Sequence, residues 1–233
     1  MKKVIVIGSS NTDMVVHTFH LPAPGETILG GEFLMNQGGK GANQAVAVKR
    51  LGGDLVFVAR LGNDVLGQQT MEVFRKEGMK TDYITLDDKA ASGVALISVD
   101  SKAENCIVVA SGANMTFSEA DIDRVEKEMY EGDILLLQLE IPVATVAYAA
   151  RKAYEKGLKV ILNPAPAQAL PESLFEHLYM ITPNRIEAEM LTGVSISSDE
   201  DAVRAAEALC KKGVKNVIIT LGSDGCLVME DGR

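Results

Sequence analysis

The chain has 233 residues, 47% of them hydrophobic, and a formal net charge of -9. That length allows one substantial core, the acidic balance argues against nucleic-acid binding, and no window approaches the roughly 18 uninterrupted apolar residues of a membrane span. Cys106, Cys210 and Cys226 are scattered and odd in number, which predicts reduced, mostly buried thiols and a cytoplasmic location.

The first apolar run, Val4 to Ile7, is too short for a signal-peptide core and predicts a strand over Lys3–Gly8. Met14–Phe19 and Thr27–Met35 alternate polar and apolar residues around the turn Leu21-Pro22-Ala23-Pro24-Gly25, and read as antiparallel strands outside a main sheet. A helix is expected over Ala42–Leu51, stopped by Gly52-Gly53, then a strand at Leu55–Arg60 and a helix at Val65–Glu77. Gly93–Asp100 with Cys106–Ser111 forms a second outlying antiparallel pair, and the two pairs together suggest a small lid. Further helices are expected at Glu119–Tyr130, Val143–Glu155, Arg185–Thr192 and Asp199–Lys212. Strands are expected at Asp133–Leu139, Lys159–Asn163, Tyr179–Thr182 and Asn216–Leu221. Ser118 with Asp121 resembles a capping box, and Gly157, Gly193 and Gly213 sit where left-handed helix ends belong. Strands alternating with helices predict one three-layer α/β domain over residues 1–233, built on a mainly parallel sheet, with lid strands from about 14–35 and 93–111. Leu227–Glu230 runs into Asp231-Gly232, a two-residue hairpin signal whose following strand would lie past Arg233. The expectation is therefore a C-terminally incomplete domain.

Chemistry concentrates at the strand ends. Gly38-Gly39-Lys40-Gly41-Ala42-Asn43-Gln44-Ala45 opens a helix with glycines that let backbone N–H groups approach a polar ligand, a lysine that adds charge, and an asparagine that both donates and accepts. Asn11 and Asp13 follow the first strand, Glu140 the third parallel one, Asn163 the fourth and Asn184 the fifth. Ligands gather beyond the carboxyl ends of such strands, although Asn and Asp are also ordinary turn residues. A carboxylate accepts two hydrogen bonds in one plane, so Asp13 suits a sugar diol, with Asn11 and Asn43 as further partners. Asn184 and Glu187 share one face at a helix start. They could hold a hydrated Mg²⁺ near phosphates, but spacing alone favours the structural reading, an N-cap Asn with a Glu three residues on. Thr220-Leu221-Gly222-Ser223-Asp224-Gly225 is a strand and Gly-rich turn suited to phosphate or ribose, or simply a hairpin turn.

With these residues assembled, the chain resembles the ribokinase-like (phosphofructokinase B type) sugar kinases over essentially its whole length. The first family signature is matched by Gly38, Gly39, Gly41, Asn43, Gly52 and Gly62. Further likeness lies in Gly8-Ser9-Ser10-Asn11-Thr12-Asp13, Ser111-Gly112-Ala113-Asn114 and Asn163-Pro164-Ala165-Pro166-Ala167. The resemblance implies a lid that closes over the sugar, dimerisation through that lid, MgATP as phosphoryl donor and activation by a monovalent cation such as K⁺. Carried across, Asn11, Asp13, Gly39, Lys40, Asn43 and Glu140 contact the sugar. Asn184 and Glu187 match an Asn-x-x-Glu element near Mg²⁺ and phosphate, the Glu acting through water, and Thr220, Leu221, Gly222, Ser223, Asp224 and Gly225 lie along the nucleotide. Arg185 departs from a position often acidic in relatives.

The larger departure is that the second signature, a Gly-Ala-Gly-Asp turn supplying the anion hole and the aspartate base, occurs nowhere in these residues; the base is expected past Arg233. The implied reaction is ATP-dependent phosphorylation of D-ribose at its primary 5-hydroxyl, with deoxyribose or adenosine as alternative acceptors. Only 5% of residues are aromatic and none is Trp, which argues against a nucleobase pocket. A non-catalytic sugar-binding homologue is the competing class. A nicotinamide dehydrogenase is disfavoured because Gly8-Ser9-Ser10-Asn11 lacks the G-x-G-x-x-G pattern.

Overall fold

The structure, a computed structural model, describes residues 2–233. At its centre is β1 (Lys3–Ile7), where Ile5 and Ile7 enter one apolar cluster and Val6 enters another on the opposite face. A strand apolar on both faces belongs in the middle of a sheet covered by helices on both sides. The chain continues through β2 (Asn11–His17), β3 (Phe33–Gly38), α1 (Lys40–Arg50), β4 (Asp54–Gly62), α2 (Val65–Lys76) and β5 (Ile84–Asp87). β6 (Gly93–Val99), β7 (Asn105–Ala110), α3 (Glu119–Val125), β8 (Ile134–Leu137), α4 (Val143–Glu155) and β9 (Lys159–Leu162) follow. Then come α5 (Glu172–Phe175), β10 (Met180–Ile181), α6 (Arg185–Thr192), α7 (Asp199–Lys211), β11 (Asn216–Thr220) and β12 (Cys226–Glu230).

Among the described residues the large sheet has eight strands in the order β12-β11-β10-β9-β8-β1-β4-β5, and only β12 runs antiparallel to its neighbour. Ala42, Ala45, Met71 and Phe74 from α1 and α2 cover one face. Ile122, Val146, Ala149 and Leu209 from α3, α4 and α7 cover the other. This is the expected three-layer α/β arrangement. The strand order runs outward in opposite directions from the β1–β8 boundary, which places the crevice of the fold at their carboxyl ends.

A second sheet, β3-β2-β6-β7, stands apart from the first. Its two hairpins are antiparallel as expected, but they meet through a parallel pairing, Asn11 to His17 alongside Gly93 to Val99. The long path from β2 to β6 through the main sheet supplies the crossover that parallel strands need. The sheet also begins earlier than the polar–apolar alternation suggests. Asn11 and Asp13 lie inside β2, and β3 covers Phe33–Gly38, not Thr27–Met35.

Several local expectations hold. Ser118–Asp121 forms a capping box, and Gly157, Gly193 and Gly213 have φ of 77°, 74° and 110°. Asp231 and Gly232 take φ of 47° and 77° while Glu230 and Arg233 exchange both backbone hydrogen bonds, the geometry of the anticipated two-residue turn. Other expectations do not hold. The helix expected to reach Tyr130 tightens into a 3₁₀ turn at Glu126–Glu128, and β5 and α5 were not anticipated. Cys106 and Cys226 are exposed instead of buried, because both lie on strands with an uncovered face.

Candidate active site

From β1 the chain passes through Gly8-Ser9-Ser10 directly into β2, which carries Asn11 and Asp13; from β8 it passes through Gln138-Leu139 to Glu140. The start of α1 is packed against the same place, and glycine makes that approach possible. A Cβ on Gly41 would sit 2.6 Å from the backbone of Gly8 and Ser9, and one on Gly39, at φ 89°, would sit 2.8 Å from Ser10 Cα.

Glu140 ties these pieces together. Its Oε2 accepts from the Lys40 N–H at 2.9 Å and from the Ser9 hydroxyl at 2.5 Å, while Lys40 Nζ lies 3.2 Å from its Oε1. Helix α1 has no side-chain cap of its own, so this distant carboxylate satisfies a free N–H and complements the positive end of the helix. Asp13 pairs across the ladder with Asn36, and its carboxylate lies over Gly38, where a Cβ would come within 2.2 Å of both oxygens. Burial pushes the Asp13 carboxyl above its ordinary range, the neighbouring Glu140 charge adds to this, and Lys40 opposes it. Among the described residues no hydrogen-bond donor offsets that burial. A half-buried carboxylate in that state is a poised acceptor for a ligand donor.

Asn11, Lys40 and Glu140 line a cavity of about 390 Å³, together with Val109, Leu139, Ile141 and Pro166; no aromatic ring lines it. Polar groups and small apolar groups share its lining, the environment of a compact, hydroxyl-rich ligand. Asn43, on the first turn of α1, is exposed and lines the adjoining cleft with Asn36 and Gln37. Asn36 pairs with Asp13 across the ladder and lines the same cleft as Asn43.

The second group of predicted residues lies farther along the same sheet edge. Thr220 bridges in parallel fashion to Asn184, and its N–H donates to Pro183. Gly222–Asp224 forms a 3₁₀ turn, closed when the Leu221 N–H donates to the Gly225 carbonyl. Ser223, Asp224 and Gly225 are exposed, and a Cβ at Gly222 or Gly225 would meet nothing within 4 Å, so a ligand could lie directly on this backbone. Arg185, the unusual residue here, pairs with Asp224 at 3.3 Å.

Asn184 and Glu187 form a complete capping box. Asn184 Oδ1 accepts from the Glu187 N–H, and Glu187 Oε2 accepts from the Asn184 N–H, each at 2.8 Å. Glu187 is buried, and among the described residues no group of three or more His, Cys, Asp or Glu side chains could enclose a metal. The donor set does not fit an all-protein cage. A hydrated Mg²⁺ held mainly by phosphates needs no such cage.

The residue pattern did not single out Ser9, Asn114 or Gln168 for any role. Ser9 holds Glu140, Gln168 Nε2 donates to the Leu139 carbonyl at 2.8 Å, and Asn114, on the 3₁₀ turn Gly112–Thr116, is buried against the β1–β2 connection, where it bonds Ser10. Ser9 and Asn114 had a usable signal, each lying in a run that carries the family likeness, Gly8-Ser9-Ser10-Asn11 and Ser111-Gly112-Ala113-Asn114.

A model of the pfkB family carbohydrate kinases matches residues 1–233. The chain belongs to that family. It is 42% identical over 232 residues to a ribokinase of Haemophilus influenzae, a match covering 100% of this chain and 76% of the relative. It is 35% identical to a deoxyribokinase of Salmonella typhi, covering 97% and 74%. A solved ribokinase of Arabidopsis thaliana complexed with ribose and ATP superposes with a TM-score of 0.89 at 32% identity, covering 100% of this chain and 76% of that one. As a pfkB member this chain is a carbohydrate kinase, a phosphotransferase.

Proposed function

We propose that the protein transfers the γ-phosphoryl group of MgATP to the primary 5-hydroxyl of D-ribose, giving ribose 5-phosphate and ADP. The observation that carries this reading is the convergence of Asn11, Lys40 and Glu140 on one aromatic-free cavity at the β1–β8 crevice, beside the poised Asp13 carboxylate. Asp13 accepts from vicinal hydroxyls, Asn11 and Lys40 donate to sugar oxygens, Gly39 allows close backbone approach, and Asn43 reaches the sugar from the adjoining cleft. Glu140 holds Lys40 and the helix end in register.

Asn184 and the turn from Thr220 to Gly225 hold the nucleotide along the same edge, with Leu221 beneath it. With neighbouring strands about 4.8 Å apart, the two to three strand steps from β8 to β10 and β11 span roughly 10–14 Å, room for a pentose facing a triphosphate. When bound, Mg²⁺ screens phosphate charge, and Glu187 orients its water shell. The monovalent cation implied by the family has no assigned ligand in this chain. Lack of aromatic rings disfavours adenosine; deoxyribose is the nearest alternative acceptor. The small sheet serves as the lid, residues 1–233 act as one domain with it, and the setting is cytoplasmic.

These residues bind and orient, but they contain no Gly-Ala-Gly-Asp turn to form an anion hole or supply the base. Losing both costs several kcal/mol, each 1.4 being roughly tenfold in rate. The product of the complete gene, assayed for ADP formation against ribose, deoxyribose and adenosine, is expected to give its highest kcat/KM with ribose. Residues 1–233 alone are expected to bind ribose with negligible turnover. A preference for another acceptor refutes the substrate, and turnover near 1 s⁻¹, on the order of ordinary kinases, by residues 1–233 refutes the dependence on that turn.

A further inference from the structure

We infer that Asn114 is a positioning residue that fixes which way the Asn11 amide faces, so that Asn11 can only donate to the ligand. This inference rests on the reading of Asn11 as a sugar contact. Asn114 is 1% exposed and its orientation is set by backbone groups whose polarity is not in doubt. Its Oδ1 accepts from the Ser10 N–H at 2.9 Å, and its Nδ2 donates to the Ser111 carbonyl at 2.9 Å and to the Ser10 carbonyl at 3.2 Å. Turning the amide over would set like against like at all three contacts. The same Nδ2 lies 2.7 Å from the Asn11 side-chain oxygen. That oxygen must therefore be the acceptor, and the Asn11 Nδ2 is the polar end left for the cavity that Asn11 lines.

The amide pair also fills the space beside Gly93, where a Cβ would lie 2.2 Å from Asn11 Oδ1 and 2.4 Å from Asn114 Nδ2. Three crossings between the two sheets meet at this pair: the entry to β2, the entry to β6 and the exit from β7 at Ser111. Asp13, two residues from Asn11 on the same face of β2, only accepts while ionised. One ligand hydroxyl can thus receive from Asn11 and donate to Asp13, a pairing lost if the Asn11 amide turns.

The test measures ribose affinity by calorimetry in the complete gene product. Asn114→Asp replaces the donor with an oxygen facing three acceptors, and is expected to weaken ribose binding by roughly tenfold or more with ATP affinity unchanged. In an Asn11→Ala background the same change is expected to alter the ribose Kd less than about twofold, because the intermediary is gone. Should Asn114→Asp fail to fold, Asn11→Asp carries the test. It keeps the acceptor toward Asn114 but turns the ligand-facing donor into an acceptor, so ribose affinity should fall by roughly tenfold or more in a variant that still melts cooperatively. Equal losses in both Asn11 backgrounds, or full affinity in Asn11→Asp, overturn the inference. A parent protein that binds no ribose overturns the proposed function itself, whereas a binding parent with unaffected variants overturns only the role of Asn114.

Discussion

Asp13 is held in a state that opposes folding stability and favours binding. Its pKa is raised above 3.8, first by burial and then by the Glu140 charge. The sign follows from linkage: below the ordinary carboxylate range the group is protonated in both folded and unfolded chains and carries no penalty. As pH rises through the folded-state value, ionisation is harder in the folded protein, and stability falls. Asp13→Asn should therefore melt at a higher temperature than the parent at neutral pH, with the difference closing below about pH 4. The same change, like Asp13→Ala, should weaken ribose binding by about 1–3 kcal/mol, the cost of leaving ligand hydroxyls without their acceptor. Equal melting temperatures at pH 7, or an unchanged calorimetric Kd, would remove Asp13 from this role. Asp13 stands out in the sequence as a candidate because a carboxylate after an apolar strand, followed by β-like residues, is poorly explained as a cap. Asn114 does not, because its importance lies in contacts made with Ser10 and Asn11, over 100 positions away in the chain.

At the scale of elements, the β1–β2 connection and the first turn of α1 behave as one unit. Replacing glycine by alanine inside a helix ordinarily stabilises by about 1 kcal/mol. Gly41 should reverse that sign, since its Cβ would press at 2.6 Å on the backbone of Gly8 and Ser9, which cannot rotate away. Gly41→Ala is expected to destabilise by about 1–3 kcal/mol in urea unfolding and to weaken sugar binding, because Lys40 and Glu140 shift with the helix end. A stabilised variant with full affinity would mean the helix does not abut this connection. The run of glycines marked the region in the sequence. The reason each must be glycine did not, since the backbone it touches belongs to a different element. The Asn184–Glu187 pair teaches the complementary lesson. Spacing left a capping box and a metal contact open; the box is fully formed, and it engages Oε2 of Glu187.

At the scale of the molecule, the small sheet leaves an apolar surface unexplained by its own core. Met35, Met14, Leu96 and Val108 form one cross-strand row, and Met35, Leu96 and Val108 are 43%, 55% and 62% exposed. A contiguous row of that kind suits contact with a second copy through the same surface, as the family resemblance implies. The complete gene product should sediment as a dimer, and Leu96→Lys with Val108→Lys should shift it to monomer while the main sheet keeps its unfolding transition. A parent that sediments as a monomer at all concentrations would refute lid-mediated assembly.

Residue pattern was enough to give the alternating elements, the mainly parallel sheet, most helix ends and the cluster of polar residues at strand ends. These depend on hydrophobic period, glycine and capping chemistry, which act within a few residues. The folded chain was needed to learn that β2 and β6 run parallel, that Asn11 and Asp13 stand on the small sheet, that Glu140 caps α1 and that Asn43 opens onto a separate cleft. Each of these rests on contacts between segments distant in the chain, and local pattern carries no term for them.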